Sequence, residues 1–265
     1  MSDISIDLTT TPNKLLSGLS PEDMALLQPL LQRKELPART TLEAFNQKFD
    51  RVHFIESGIL SVVTSASRDQ QIEIGIVGSE GVSGLPLILG TDRSPNSSII
   101  QIPCTSLSMK TAALTDVLSS SDSLQLRLNS FVQAFLVQIA QTVLANSKAN
   151  VNERLARWLV MAHDRVDGND LRLTHESLSV MVGVRRAGIT VALHELEGER
   201  LIRSTRGLIT ITDIIGLKRY ANDFYGVAEA EYERLLGCPL ARQRVQGRTA
   251  KPMERRESIE QRPHG

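Results

Sequence analysis

The sequence LTHESLSVMVGVRRAGITVALHELEGERLI, residues 173–202, has the apolar spacing of two short helices joined by a tight turn. Thr174 offers a hydroxyl N-cap to the first helix, and Glu176 places negative charge in its first turn. Gly183 stands where a helix C-terminus favours a residue that tolerates positive φ. Apolar side chains recur three and four residues apart, at Leu178, Met181, Val182, Ile189, Ala192, Leu193 and Leu196.

Two helices joined by a turn of about four residues are typical of the helix-turn-helix unit, whose second helix enters the major groove of DNA. Arg185 and Arg186 lie at the start of that second helix, and arginine can donate two hydrogen bonds to guanine. A helical hairpin with solvated arginines has the same spacing. The next segment favours DNA binding, because Arg203 and Arg206 occupy a turn before the alternating strand 208–212. This segment predicts a two-stranded wing with Gly207 at its tip.

Together these residues resemble the Crp/Fnr superfamily of transcription regulators. The resemblance is carried by the helix-turn-helix stretch, by RGLITITD after it and by NERLARWLVMAHDR before it, and it runs from about residue 15 to 225. It implies an α+β fold with an N-terminal double-stranded, jelly-roll-like β-roll, a long dimerisation helix and a C-terminal winged helix-turn-helix. Short alternating runs broken by glycines after residue 34 agree with the β-roll.

The chain divides into five segments on this basis. We expect a loose N-terminus over 1–12, a sensor-like β-roll over 13–121, a dimerisation helix over 122–147 and a winged helix-turn-helix domain over 148–225. Residues 226–265 form an extension, whose amphipathic start either caps the domain or thickens the dimer. Its tail has seven Lys or Arg against three Glu over 242–265, which predicts disorder and additional non-specific affinity for DNA.

A helix without Gly or Pro is predicted over residues 122–146, with one long apolar stripe. The resemblance implies that this stripe is the seam of a two-fold dimer. The alternative is a helix that covers its own β-roll. The predicted dimerisation residues are Leu124, Leu128, Phe131, Phe135, Ile139 and Val143.

The resemblance also implies a ligand pocket in the roll, in which glycine N–H groups and an arginine bind a phosphate. Here Arg93 stands about one residue too early, and Pro95 disfavours the strand that the pocket needs. Ile139 and Ala140 replace the Thr-Ser pair of members that respond to cyclic AMP, so we do not expect that effector. The glycines alternatively serve only as turns. The candidate effector residues are Gly78, Glu80, Gly81, Val82, Arg93 and Ser94.

In the DNA-binding segment, the resemblance matches Thr174 to a phosphate-binding threonine and Arg186 to a guanine-reading arginine. Ala187 and Val191 stand where a glutamate and a second arginine are common, so the family's half-site preferences are not carried over. Wing arginines are expected to bind phosphate and to position the protein. The predicted DNA-binding residues are Thr174, His175, Arg185, Arg186, Thr190, Arg203 and Arg206.

Composition sets limits on these interpretations. The 265 residues carry zero formal net charge, but residues 172–219 hold eight Lys or Arg against five Asp or Glu. Cys104 and Cys238 have no CxxC spacing, and the histidines form no triad, so we expect no catalytic residue, metal site or cofactor. A basic-then-apolar signal sequence and an apolar run of bilayer length are both missing, which predicts a cytoplasmic protein without membrane contact.

The sequence leaves two functions open. The first is a bacterial, homodimeric transcription regulator whose partners are double-stranded DNA, a second copy, RNA polymerase and a small-molecule effector of unknown identity. The second is a β-roll ligand sensor whose C-terminal domain mediates protein contacts and does not bind DNA.

Overall fold

The computed structural model describes residues 6–67 and 70–242 and confirms the α+β fold class. Its N-terminal half is a β-roll in which the strands hydrogen-bond in the order β1-β5-β3-β4, while β2 also pairs with β5. All pairs in this sheet are antiparallel. The strands are β1 (Gln32–Leu36), β2 (Thr41–Glu43), β3 (Arg51–Ser65), β4 (Gln71–Val77) and β5 (Ser97–Lys110).

The two longest strands, β3 and β5, form the centre of the roll. Their inward side chains are buried apolar residues, as in the cross-strand pairs Phe54 with Leu107 and Leu60 with Ile100. The register shifts between residues 55 and 60, and such irregularities raise the local twist and let a 15-residue strand bend around its core. Gly58 is required at the bend: its φ is +82°, and an added Cβ would lie 2.2 Å from the carbonyl oxygen of Pro103.

The segment before the roll is partly ordered, which corrects the expectation of a loose N-terminus over residues 1–12. Leu8 is fully buried and Thr11 nearly so. Asn13, which is also buried, caps α1 (Lys14–Ser17) and donates from Nδ2 to the carbonyls of Ile55 and Gly81, each at 2.8 Å. Residues 1–5 lie outside the described part. A second short helix, α2 (Pro21–Leu27), follows, and Ser20 caps it.

Three helices follow strands of the roll: α3 (Leu85–Ile88), α4 (Thr111–Ser120) and α5 (Asp122–Lys148). The predicted stripe on α5 faces the roll of the same chain and does not form an outer seam. Leu124, Leu128, Phe131 and Phe135 are at most 4% exposed, and Ile139 is half-buried; of the six predicted dimerisation residues, Val143 alone is exposed. For the four buried residues the prediction was wrong, because a helix pattern shows which residues share a face but not which surface covers it, whereas the exposed Val143 can still contact a second copy.

Polar residues such as Asn129, Gln133 and Gln138 interrupt the apolar pattern of α5, in agreement with the expectation that no apolar run has bilayer length. By length and composition α5 is the one helix in the described part that could cross a membrane, with a mean hydropathy of 1.3 over its apolar window. Its apolar stripe is instead occupied by packing against the roll. Core helices of soluble proteins commonly have this property.

The C-terminal domain comprises four helices and a small sheet in the order β6-β8-β7. Helix α6 begins with a capping box in which Asn150 and Glu153 bond each other's backbone N–H groups. The apolar faces of α6, α7 and α8 meet the wing strands in one core. The elements are α6 (Val151–His163), β6 (Asp170–Leu171), α7 (His175–Val182), α8 (Arg186–Gly198), β7 (Ile202–Thr205), β8 (Leu208–Ile211) and α9 (Ile214–Ala221).

The extension beyond the wing folds back onto the N-terminal half. Helix α10 (Val227–Leu236) packs along α5, and Leu236 and Leu240 enter the core of the roll. The Lys14 ammonium donates to the carbonyls of residues 239, 240 and 241 at 2.7, 2.6 and 3.0 Å. The start of the extension therefore caps the joined domains. Of the predicted disordered tail over 242–265, Arg242 is ordered and its backbone N–H donates to the Asp164 carbonyl, and residues 243–265 lie outside the described residues.

The two domains share a buried junction. Ile59 and Ile76 of the roll belong to the apolar core of the C-terminal domain. Beside them, the Arg165 Nε donates to Glu80 at 2.7 Å, and both side chains are almost fully buried. The domains are therefore held together by packing and by charge.

Candidate nucleic-acid interface and ligand cavity

The helix-turn-helix is built by α7, a tight turn and α8. The Thr174 hydroxyl caps α7 by accepting from the Ser177 N–H at 3.0 Å. Gly183 ends the helix at φ +67°, so the left-handed C-cap predicted there is confirmed. Arg185 is the N-cap of α8, makes no side-chain capping bond and is exposed.

Helix α8 has one buried and one exposed face. Ile189, Ala192, Leu193 and Leu196 are at most 2% exposed and hold the helix on its domain. The opposite face carries Arg185 and Arg186 in the first turn. Within the described residues, neither arginine takes part in a salt bridge. Two free guanidinium groups at a helix N-terminus can reach phosphates or base edges.

His175 and Thr190 are engaged with each other. The His175 Nδ1 lies 3.0 Å from the Thr190 Oγ1, and the Thr190 hydroxyl also donates to the Arg186 carbonyl at 3.2 Å. Both side chains are half-buried between α7 and α8. They support the angle between the two helices, a role that the sequence analysis did not foresee.

The wing is the β7–β8 hairpin, and β7 packs against α8. Gly207 lies in its turn at φ +75°, as predicted for the tip. Arg203 and Arg206 are exposed. The wing therefore places two more cations on the domain that carries α8.

A second candidate site is a cavity of about 280 Å³ between the roll and α5. Three of the six predicted effector residues line it: Val82, Arg93 and Ser94. Gly78, Glu80 and Gly81 do not line it: Gly78 and Glu80 face the C-terminal domain, and Gly81 packs against Phe131 and Val77. Glu80 bonds Arg165, and an added Cβ at Gly78 would lie 2.8 Å from the Arg165 side chain.

Sequence reasoning missed Glu43, which lines the cavity and is 3% exposed. Its Oε1 accepts from the Gly84 N–H at 2.9 Å. Burial raises the pKa of this carboxyl, while hydrogen bonds from Gly84 and from the Ser98 hydroxyl oppose the rise. The residue lies on a three-residue strand 41 positions before Gly84, so no local motif could indicate it.

Metal ligands are not brought together in the described part of the chain: no three His, Cys, Asp or Glu side chains lie close enough to hold an ion. Cys104 is buried and burial raises the pKa of its thiol to about 12, which makes it a poor nucleophile at neutral pH.

Comparison with known proteins bears on the helix-turn-helix and on the overall fold. Residues 153–220 match the family model of the Crp-like helix-turn-helix domain. No curated protein matches the chain. Solved structures with the same fold include a protein assigned to the Crp/Fnr family of transcriptional regulators from Eubacterium rectale, with a TM-score of 0.62 and 17% identity over 79% of this chain and 98% of that one.

Two further solved structures share the fold. The c-di-GMP-responsive regulator CLP of Xanthomonas campestris aligns with a TM-score of 0.58 and 16% identity over 72% of this chain and 99% of its own. A CRP-family transcriptional regulator from Thermus thermophilus aligns with a TM-score of 0.60 and 15% identity over 72% and 97%. At such identities these structures establish the fold alone.

Proposed function

We propose that this chain, whose C-terminal part is a Crp-like helix-turn-helix domain within a Crp/Fnr-like fold, is a homodimeric transcription regulator that binds a two-fold-symmetric DNA site. One observation carries the proposal: α8 is anchored by a buried apolar face and presents exposed Arg185 and Arg186 at its N-terminus. The wing adds Arg203 and Arg206. We propose that the protein acts by binding DNA and not by catalysis. Its proposed location is the cytoplasm, where the DNA is.

Each contact has a distinct task. Arg186 is proposed to read a guanine by bidentate hydrogen bonds, with Arg185 beside it on a base edge or phosphate. Thr174 and the first turn of α7 would bind a phosphate through hydroxyl and N–H groups. The wing arginines would fix the register of the domain on the backbone. Zero net charge does not oppose this, because the local surface sets the field that DNA meets.

A second copy would bring two such domains together. The solvent-exposed face of α5 has a 3-4 spacing of its own, and Leu126 and Val143 on it are 68% and 60% exposed. We propose that this face, and not the stripe buried in the roll, is the seam of a parallel helix pair. Its residues are Leu126, Asn129, Gln133, Leu136, Ala140, Val143 and Ser147.

A charge on this face tests the dimer. Val143→Glu should convert the protein to a monomer, because a carboxylate at the seam would face its copy. Val227→Glu makes the same change at an exposed position of α10 and should leave the dimer intact. Analytical ultracentrifugation distinguishes the two species. Equal masses for both variants would disprove the seam.

DNA recognition is tested by selecting bound sequences from a pool of random duplexes over a range of salt concentrations. The selected motif should be two-fold symmetric, and its affinity should fall steeply with added salt. Arg186→Ala should relax the motif. Arg219→Ala, at an exposed arginine of α9 in the same domain, should preserve it. The selection is repeated with cyclic AMP present; no enrichment in either arm would overturn the proposal.

RNA polymerase and a small effector are further proposed partners. The effector is not cyclic AMP in this proposal, because no described residue gives the cavity in the roll a buried arginine that could pair with a cyclic phosphate.

A further inference from the structure

The walls of the cavity between the roll and α5 are mostly apolar. Strands β3 and β4 contribute Leu60 and Ile74, and α5 contributes Val132 and Phe135. Val82 closes the side nearest the glycine-containing loop. A ligand in this space would exchange water for aliphatic and aromatic carbon, which favours apolar molecules.

Two charged residues line the cavity in the described structure, and neither suits an anion. The Arg93 side chain is 52% exposed, and its Nε lies 3.8 Å from the Asp92 carboxylate, so its charge is solvated and partly neutralised outside. Glu43 is buried at the wall and would repel a phosphate or carboxylate. A bound anion would therefore lack a desolvated cation as partner.

Four buried polar side chains line the cavity, Glu43, Ser83, Ser94 and Ser98, each at most 4% exposed. The Glu43 carboxyl accepts from the Ser98 hydroxyl, so these two lie together, and Ser83 precedes Gly84, whose N–H donates to Glu43. A carboxyl and hydroxyl groups can serve one hydroxyl or amide of a ligand as donors or acceptors. Glu43 and Ser98 would orient a ligand, and the apolar remainder of the cavity would provide affinity.

The volume sets the size of the ligand. An apolar cavity of roughly 150 Å³ holds benzene. The cavity here, about 280 Å³, is nearly twice as large. If about 150 Å³ holds the six non-hydrogen atoms of benzene, this cavity can hold a compact molecule of about a dozen non-hydrogen atoms.

We propose that the β-roll cavity binds an uncharged, largely apolar small molecule of this size, with one hydrogen-bonding group directed at Glu43 and Ser98. The ligand would touch α5 at Val132 and Phe135, on the helix whose outer face is the proposed seam. The inference specifies the effector within the proposed function, but it does not depend on DNA binding.

The test is isothermal titration calorimetry on the full-length protein with three probes: 1-naphthol, the anion 1-naphthoate and cyclic AMP. The neutral naphthol should bind, and the two anions should bind at least about tenfold more weakly. Naphthol has the required shape, one hydroxyl group and no charge at neutral pH.

Variants locate the binding. Ile74→Trp fills the cavity from β4 and should weaken naphthol binding at least about tenfold. Ile215→Trp makes the same change at a 68% exposed position of α9 and should not affect it. Glu43→Gln keeps a hydrogen-bonding group and removes the ionisable one, so naphthol affinity should be little changed. Thermal unfolding of each variant confirms that it is folded.

Four outcomes would overturn the proposal. Absence of naphthol binding would show that the cavity is packing space, closed in the dimer by the second copy. Equal binding to wild type and to Ile74→Trp would place the probe elsewhere. Tighter binding of an anion that is lost in Arg93→Ala would identify an anion site, and equal losses of naphthol affinity in Ile74→Trp and in the exposed Ile215→Trp would show that the cavity is not the binding site. Because no DNA is present, none of these results affects the selection from random duplexes.

Discussion

Arginine occurs in two contrasting environments in this protein. On α8, Arg185 and Arg186 are exposed and lie outside every salt bridge that the described residues form. At the domain junction, Arg157 and Arg165 are 6% and 1% exposed. An exposed guanidinium can bind a phosphate with a small cost in desolvation free energy, whereas a buried guanidinium needs hydrogen-bond acceptors or carboxylates from its own chain. The same residue type thus serves recognition in one place and assembly in the other.

The junction pairs its buried charges mainly with groups that are distant in sequence. The Arg165 Nε donates to Glu80, and the Tyr232 hydroxyl donates to the Glu80 carbonyl at 2.9 Å. The nearby Met161 carbonyl accepts from the Arg165 Nη1. Arg157 donates to the Phe224 carbonyl at 2.8 Å. Roll, α6 and the extension therefore meet at one network, and its disruption should affect the fold before it affects DNA contacts.

The largest effect is expected from Glu80→Gln. It leaves the buried Arg165 without its counter-ion, and breaking a buried pair in this way costs about 3 to 5 kcal/mol. Urea unfolding measures the loss. Glu231→Gln breaks the exposed pair with Arg234 and should change stability little. If the two variants unfold alike, the junction is less dependent on charge than its burial indicates.

The next largest effect concerns pH. Glu73 is fully buried at the junction, where burial raises the pKa of its carboxyl from 4.5 to about 7 against hydrogen bonds from Ser61 and Trp158 and the charges of Arg157 and Arg165. The folded state therefore holds a proton that the unfolded state has lost. Stability from this group is complete below pH 4.5 and disappears as the pH rises through about 7.

Glu73→Gln should remove this dependence. At pH 8 the variant should be more stable than the wild type by on the order of 3 kcal/mol, and at pH 4.5 the two should be equal. Urea unfolding at both pH values, followed by Trp158 fluorescence, provides the comparison. The exposed Glu233→Gln is the control. Parallel pH profiles for the wild type and Glu73→Gln would exclude Glu73 as the titrating group.

An intermediate effect is expected for Arg186→Ala, and it concerns DNA affinity and not stability. Loss of a bidentate contact should weaken binding to the selected DNA site by about 1 to 3 kcal/mol. Urea unfolding should be unchanged, because the side chain is exposed. Fluorescence anisotropy with the selected duplex measures the affinity. A stability loss without a loss of affinity would reverse the contrast between the two sets of arginines.

The smallest effect is expected for Tyr232→Phe. It removes the hydroxyl that bonds the Glu80 carbonyl and should cost about 1 kcal/mol. Tyr220→Phe, on a half-buried tyrosine of α9, is the matched control. Urea unfolding compares them. A negligible cost for Tyr232→Phe would mean that α10 is held by its apolar contacts and by Lys14 alone.

Local patterns were sufficient for the helix-turn-helix. The Thr174 cap, the Gly183 turn and the apolar stripes of α7 and α8 lie within a few turns of each other, so short-range sequence contains their cause. The wing and its Gly207 followed in the same way. The length of α5 could also be predicted from the sequence, because no Gly or Pro interrupts it.

Sequence alone therefore determined the two-domain α+β order, the recognition helix and its exposed arginines, all of which depend on local periodicity and capping. Tertiary structure alone decided which face of α5 is buried, that Glu80 pairs with Arg165 85 residues away, and that Glu43 borders the cavity. Helical periodicity identifies a face but not its partner. Burial and pairing between distant segments arise only from tertiary folding, so a local sequence pattern does not indicate them.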